Sequence, residues 1–210
     1  MKILCHRGYW KEPAEKNTAA AFRRGFALGL GTETDIRDFN GSLVVSHDPP
    51  RSNVMTFAQL LEMTPRDALL ALNVKSDGIA QMAIDQLKAA NHREYVFFDM
   101  SIPDMRSYLH IGAPVAARLS EFEPWVDALM GQVNTIWLDA FEGNWYDVAY
   151  LKHVLQMGKQ ILLVSSELHG RSGAELEAQW SIFDTLVKST NSDKLLLCTD
   201  FPELALERFC

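Results

Sequence analysis

Four short stretches carry the side chains best suited to chemistry: His6-Arg7-Gly8, the pair Glu33 and Asp35, His47-Asp48, and Asn73-Val74-Lys75. Glu33 and Asp35 are two residues apart, a spacing that sends both side chains to one face of an extended strand. Two carboxylates on an inward face repel each other and lose hydration unless a cation sits between them. Oxygen donors favour a hard ion, Mg²⁺ or Ca²⁺, over zinc. Arg7 and Lys75 add two positive centres to that cation. Three such centres converging on one point suit a phosphate, with the arginine able to contact it in bidentate fashion. His6 and His47, flanking the same point, can serve as general acid and base near neutral pH. Read from spacing alone, the chemistry is phosphoryl transfer.

Something must bring these stretches together. Short apolar runs at 2–5, 32–36, 43–46, 69–74, 95–98, 114–117, 135–138, 160–164 and 195–198 read as strands. Stretches of helical period at 19–28, 57–63, 79–90, 105–109, 126–130, 146–157 and 179–187 lie between them. Strands alternating with helices imply parallel pairing through crossovers. The run at 43–46 follows Asn40-Gly41, a strong hairpin signal, and is expected to pair antiparallel with what precedes it. Setting it aside leaves eight strands, the number for a compact (β/α)₈ TIM barrel with short or missing helices and a small β-hairpin insertion after strand 2. A doubly wound open sheet is the competing architecture. No linker or repeat divides the chain, so residues 1–210 are expected to form a single domain.

In a barrel, reactive groups collect at the C-terminal ends of the strands. Asp99, Arg118, Asp139 and Asp200 also fall there. Asp200, before Phe201-Pro202-Glu203, reads as a helix cap, and Asp99 and Asp139 as caps or turn residues. Arg118 reads as a substrate contact or as an ion pair with Glu121. Glu167-Leu168-His169-Gly170-Arg171 reads as a solvated loop or as a third histidine and another arginine near the barrel mouth, Tyr9 and Trp10 as either a stacking surface or a cover, and His92, His110 and His153 as structural.

Composition narrows the partners. The 210 residues are 48% hydrophobic and 22% charged, with 20 Lys and Arg against 27 Asp and Glu and a net charge of −7. Such a chain can bury a core without staples, and it disfavours sequence-independent nucleic-acid binding and anionic membranes. No apolar run approaches the ~20 residues of a membrane span. The odd cysteine count, 3, argues against a disulfide framework. With no signal-peptide pattern at the start, a cytoplasmic location is expected.

The chemistry-bearing stretches resemble the glycerophosphodiester phosphodiesterases of the phosphatidylinositol-phospholipase-C-like barrel superfamily. That family carries His-Arg-Gly, Glu-Asn-Thr, Glu-x-Asp and His-Asp in this order. Here they read His6-Arg7-Gly8, Glu15-Lys16-Asn17-Thr18, Glu33-Thr34-Asp35 and His47-Asp48, and Thr199-Asp200-Phe201-Pro202 is similar to the family's Thr-Asp-x-Pro. The specific matches cover about the first fifty residues. The resemblance implies His6 and His47 as the acid/base pair, Arg7 as a phosphate contact, and Glu33 and Asp35 as ligands of a divalent metal. Lys75 matches the Lys of the family's Glu-x-Lys, whose Glu, a third metal ligand, is Asn73 here. Asn73 keeps a carbonyl oxygen but removes a negative charge, and Asp99 is a candidate to restore it. Lys16, inserted into Glu-Asn-Thr, marks a divergent branch. The implied activity is metal-dependent hydrolysis of a small soluble phosphodiester. The alternatives are a non-catalytic phosphate or sugar-phosphate binding barrel with a decayed metal site, and a lyase giving a cyclic phosphate.

Overall fold

The computed structural model describes residues 1–52 and 54–210. The chain forms two compact units, one of 5–115 and one of 1–4 with 116–210. In the first lie α1 (Ala19–Ala27), β2 (Gly31–Phe39), β3 (Ser42–Val45), α2 (Phe57–Met63), β4 (Leu70–Val74), α3 (Ala80–Ala89), β5 (Tyr95–Phe98) and α4 (Ile102–His110), entered from the end of β1 (Lys2–His6). The second holds β6 (Ala116–Leu119), α5 (Asp127–Met130), β7 (Thr135–Leu138), α6 (Val148–Gln156), β8 (Gln160–Val164), α7 (Ala174–Ser189), β9 (Leu195–Thr199) and α8 (Pro202–Phe209). Eight strand-then-helix repeats, with parallel pairs wherever the register is defined between repeats, are the (β/α)₈ or TIM-barrel class. The helices are short rather than missing: α5 has 4 residues and α2 has 7.

In the first unit the strands bond in the order β5-β4-β2-β1. β2 is the longest of them because its two halves have different partners. Thr32–Ile36 pairs in parallel with Leu70–Val74, and Ile36–Phe39 pairs antiparallel with Ser42–Val45. The hairpin closes on Asn40 and Gly41, with φ of 50° and 76°, the left-handed pair that a two-residue type I′ turn requires. The sheet packs against Phe22, Phe57, Leu60, Leu87 and Tyr108, all fully buried on the helices. Thr18 starts α1 by accepting from the Ala21 amide, and Thr56 with Gln59 forms a capping box on α2.

In the second unit the order is β9-β8-β7-β6. Leu119, Ile136, Leu162, Phe183 and Leu196 form its core. β6 starts two residues later than Pro114 suggests, since proline has no amide proton to give a ladder. Asp200 does not cap α8: Phe201 holds the cap position, and the Asp200 amide donates to the Glu167 carboxylate instead. Cys5 and Cys198 are buried inside strands and in no disulfide, while Cys210 is exposed. Among the described residues no helix is long and apolar enough to cross a membrane.

Gly8 is the tightest point of the first unit. Its φ is +82°, and an added Cβ would stand 2.8 Å from the Ala21 Cβ and 2.9 Å from that residue's carbonyl carbon. The α1 backbone cannot move aside cheaply there. Gly8→Ala is expected to cost about 2–3 kcal/mol, read as a lower urea midpoint with an unchanged slope. An unchanged midpoint would refute this account of the contact.

Candidate active site

The stretch that leaves β1 sets the site. Arg7 adopts a left-handed φ of +56°, uncommon for a residue with a side chain. Its amide donates to the Glu33 backbone carbonyl at 2.9 Å and lies 3.3 Å from Glu33 Oε2. The turn aims the guanidinium back at β2, where Arg7 Nε stands 2.9 Å from Asp35 Oδ2. Lys75 Nζ, just past β4, lies 3.5 Å from the other oxygen, Asp35 Oδ1. His6 Nε2 is 3.9 Å from Glu33 Oε2. The expected cluster of His6, Arg7, Glu33, Asp35 and Lys75 is therefore assembled, with Glu33 and Asp35 on one face and essentially unexposed.

Asn17 is the site residue that spacing did not single out. Its φ is +59°, and its amide reaches in two directions. Nδ2 donates to Asp35 Oδ2 at 2.8 Å, and Oδ1 accepts from the Thr34 hydroxyl at 2.8 Å. Its backbone amide donates to the Arg7 carbonyl at 2.9 Å. The surrounding Glu15-Lys16-Asn17-Thr18 stretch supports that reach. Glu15 binds Arg24 and the Lys11 amide, and Thr18 caps α1. The ammonium of the extra Lys16 lies 4.5 Å from the Trp10 ring centroid. Tyr9 is buried beneath Lys11 and Arg24, so it acts as a cover.

Asp35 Oδ1 and Asn73 Oδ1 are buried acceptors to which no described residue donates a hydrogen bond. The two residues are register partners on β2 and β4, so their side chains project from adjacent strands to the same side. Two oxygens without a hydrogen bond, the first with only the Lys75 ammonium at 3.5 Å, suit a hard cation, the chemistry expected of Glu33, Asp35 and Asn73. Among the described residues no group of three or more His, Cys, Asp or Glu forms a metal site, and here the third donor is an amide. Asp99 lies one residue past Phe98, the register partner of Asn73, at a left-handed φ of +68° where strand alternation has ended.

The His47 ring pairs with Asp48 and makes no hydrogen bond or ion pair to this cluster. Its side chain is 46% exposed and Nδ1 lies 2.8 Å from Asp48 Oδ1. It shares with Arg7, Lys16 and Asn17 the lining of a cavity of about 900 Å³, large enough for a small organic phosphate. The remaining strand-end residues form contacts of their own in the second unit. Arg118 pairs with Asp139 and Glu123, not with Glu121. The Glu167–Arg171 stretch is not a free loop: Glu167 holds the Thr199 hydroxyl and Asp200 amide, and His169 binds Asp139.

No protein-family model matches the chain, and no curated protein sequence does. Solved structures do match. A glycerophosphodiester phosphodiesterase from Thermotoga maritima has a TM-score of 0.72 at 18% identity, covering 98% of this chain and 96% of that one. The fold is shared with phosphodiesterases. A phosphodiesterase from Oleispira antarctica, solved with its product sn-glycerol-3-phosphate, matches at 0.68 and 13% identity over 99% and 96% of the two chains. A Ca²⁺-dependent phosphatidylinositol-specific phospholipase C from Streptomyces antibioticus matches at 0.55 and 13% identity over 96% and 94%. At these identities the likeness concerns architecture, and the chemistry must be argued from the side chains.

Burial, followed by the Asp35 charge, raises the Glu33 carboxyl from its ordinary 4.5 to about 7, against the opposing pull of His6, Arg7 and Lys75. Between these two values the folded chain keeps a proton that the unfolded chain has released. Stability must therefore fall as pH rises through that window and level off above it. The loss is on the order of 3 kcal/mol. Thermal melts across the window should show the slope in the native chain and not in Glu33→Gln. Equal slopes in both would rule out Glu33 as the source.

Proposed function

We propose that the chain is a phosphoric diester hydrolase acting on a small soluble phosphodiester of the glycerophosphodiester kind. The observation that carries this reading is the convergence of Arg7, Lys75 and Asn17 on Asp35, with His6 against Glu33. Fixed cations, buried oxygen donors and an imidazole at one strand edge are what a phosphodiester needs to be held and cleaved. The fold shared with the phosphodiesterases above supports it, and so does a cavity reached by both Arg7 and His47.

Glu33, Asp35 and Asn73 would hold a divalent cation, Mg²⁺ or Ca²⁺, which when bound supplies positive charge to a phosphoryl oxygen. Arg7 and Lys75 bind the remaining phosphoryl oxygens and meet the charge that builds up as phosphorus becomes five-coordinate. One of His6 and His47 takes the proton of the attacking water as its oxygen bonds to phosphorus. The other gives a proton to the departing alcohol as the phosphorus–oxygen ester bond breaks. The products are a phosphomonoester and an alcohol. Asn17 holds Asp35 through Oδ2, and Oδ1, which accepts no hydrogen bond, is the oxygen Asp35 would offer to a cation. A net charge of −7 favours a water-soluble diester, such as a deacylated lipid headgroup, over one embedded in an anionic membrane.

The test is a hydrolysis panel running from bis(p-nitrophenyl) phosphate to glycerophosphodiesters, with divalent ion and with chelator. His6→Ala and Glu33→Ala are each expected to lower turnover by a factor of about 10² or more, and chelator to do the same. Silence across the panel with inorganic phosphate still bound would leave a binding barrel in place of the enzyme. A cyclic phosphate among the products, read by phosphorus NMR, would replace hydrolysis by internal attack.

A further inference from the structure

Thr34 sits between the two acids of the site and faces away from them. It is the middle residue of Glu33-Thr34-Asp35, so strand alternation sends its side chain to the opposite face of β2, where it is 0% exposed. Its register partner on β4 is Leu72, and an apolar residue would suit the position as well. A buried hydroxyl there needs a hydrogen-bond partner. The Thr34 hydroxyl donates to Asn17 Oδ1 at 2.8 Å. The other end of the same amide, Nδ2, donates to Asp35 Oδ2 at 2.8 Å. One planar group thus joins the outward and inward faces of a single strand.

The direction of these two bonds follows from the groups involved. A carboxylate paired with Arg7 and Lys75 accepts, so the amide must turn its nitrogen to Asp35 and its oxygen to Thr34. Only a donor satisfies that oxygen, and a hydroxyl can be one. The Asn17 backbone is fixed already, by its φ of +59° and by its amide's bond to the Arg7 carbonyl at 2.9 Å. The side chain retains rotation about χ2, a broad torsion with two-fold character. Thr34 stops that rotation from the end that Asp35 does not hold. The consequence falls on Asp35. Arg7 Nε at 2.9 Å and Lys75 Nζ at 3.5 Å supply it with charge, but neither is aligned as a hydrogen bond. The Asn17 amide is the contact with a direction, so it sets the plane of the carboxylate. Removing the Thr34 hydroxyl would leave Asn17 Oδ1 without its donor and free the amide to turn away from Asp35.

We propose that Thr34 is a positioning residue: through Asn17 it fixes the plane of the Asp35 carboxylate, so that Oδ1 stays available to a divalent cation. The inference rests on the phosphodiesterase reading for the use made of that cation. The test compares the full native chain with Thr34→Val, which keeps the branched shape and removes the donor, and with Thr34→Ser, which keeps the donor. Mg²⁺ and Ca²⁺, titrated by calorimetry, should bind roughly tenfold more weakly to Thr34→Val, with Thr34→Ser close to native. In chains labelled with ¹⁵N-asparagine, the Asn17 side-chain protons should exchange with solvent about tenfold faster in Thr34→Val. A threonine that merely filled space would lower the melting temperature of Thr34→Val and leave both readings at their native values. Either reading unchanged in Thr34→Val, a native chain that binds neither ion, or Thr34→Ser as weak as Thr34→Val would overturn the proposal. If Thr34→Val does not fold, the native chain decides: Asn17 side-chain protons exchanging as fast as those of an exposed asparagine would overturn it, and slow exchange would uphold it. A chain silent on the diester panel that still loses ion affinity in Thr34→Val would lose the phosphodiesterase reading and keep the role of Thr34. An active chain with unchanged ion affinity in Thr34→Val would lose only that role.

Discussion

Glu33 and Asp35 share one face of β2 with almost no exposure, and like charges placed that way must be met by cations or by protons. The first unit uses both. Asp35 is surrounded by Arg7, Lys75 and Asn17, while Glu33 keeps a raised affinity for a proton. Much of the neighbouring backbone serves that arrangement. The left-handed turn at Arg7, the close approach of Gly8 to α1 and the left-handed turn at Asn17 bring three segments against a single strand. Breaking any one of them would leave a buried charge without its partner, a larger loss than the contact itself contributes.

The second unit handles a buried acid differently. Asp139 is met by three side-chain donors, two on Oδ2 and one on Oδ1, so both of its oxygens are hydrogen-bonded. Asp35 keeps one oxygen without a hydrogen bond, next to the equally unserved Asn73 oxygen. A carboxylate bonded through both oxygens orients its neighbours, whereas one with an unbonded oxygen has capacity for something from outside the chain. The same residue type, equally buried, thus has opposite consequences for binding.

Much of this was legible in the sequence. The alternation of short apolar runs with helical stretches gave the barrel class, and Asn40-Gly41 gave the hairpin, since only a left-handed pair closes so short a loop. The two-residue spacing of Glu33 and Asp35, and of Asn73 and Lys75, set which side chains share a face, because strand alternation is local. Asn17 escaped because its reach depends on a left-handed backbone and on an aspartate eighteen residues away. Arg118, Asp139 and His169 were each noticed, but their contacts with one another escaped for a related reason. They lie on three separate elements, and an aspartate just after a strand is more often a cap than a hub. His47 was legible by its type and its place in the chain, and it shares a cavity lining with Arg7.

The thiols carry a practical corollary. Cys5 and Cys198 lie in strand interiors at 0% exposure and fill space as small apolar side chains, while Cys210 ends the chain in the open. A maleimide dye or spin label would therefore meet one accessible sulfur and leave the interior untouched, giving a single-point optical or paramagnetic handle without any engineered substitution. By the same token, air oxidation would join two copies through that sulfur, and a covalent pair seen without reductant would reflect handling and not assembly.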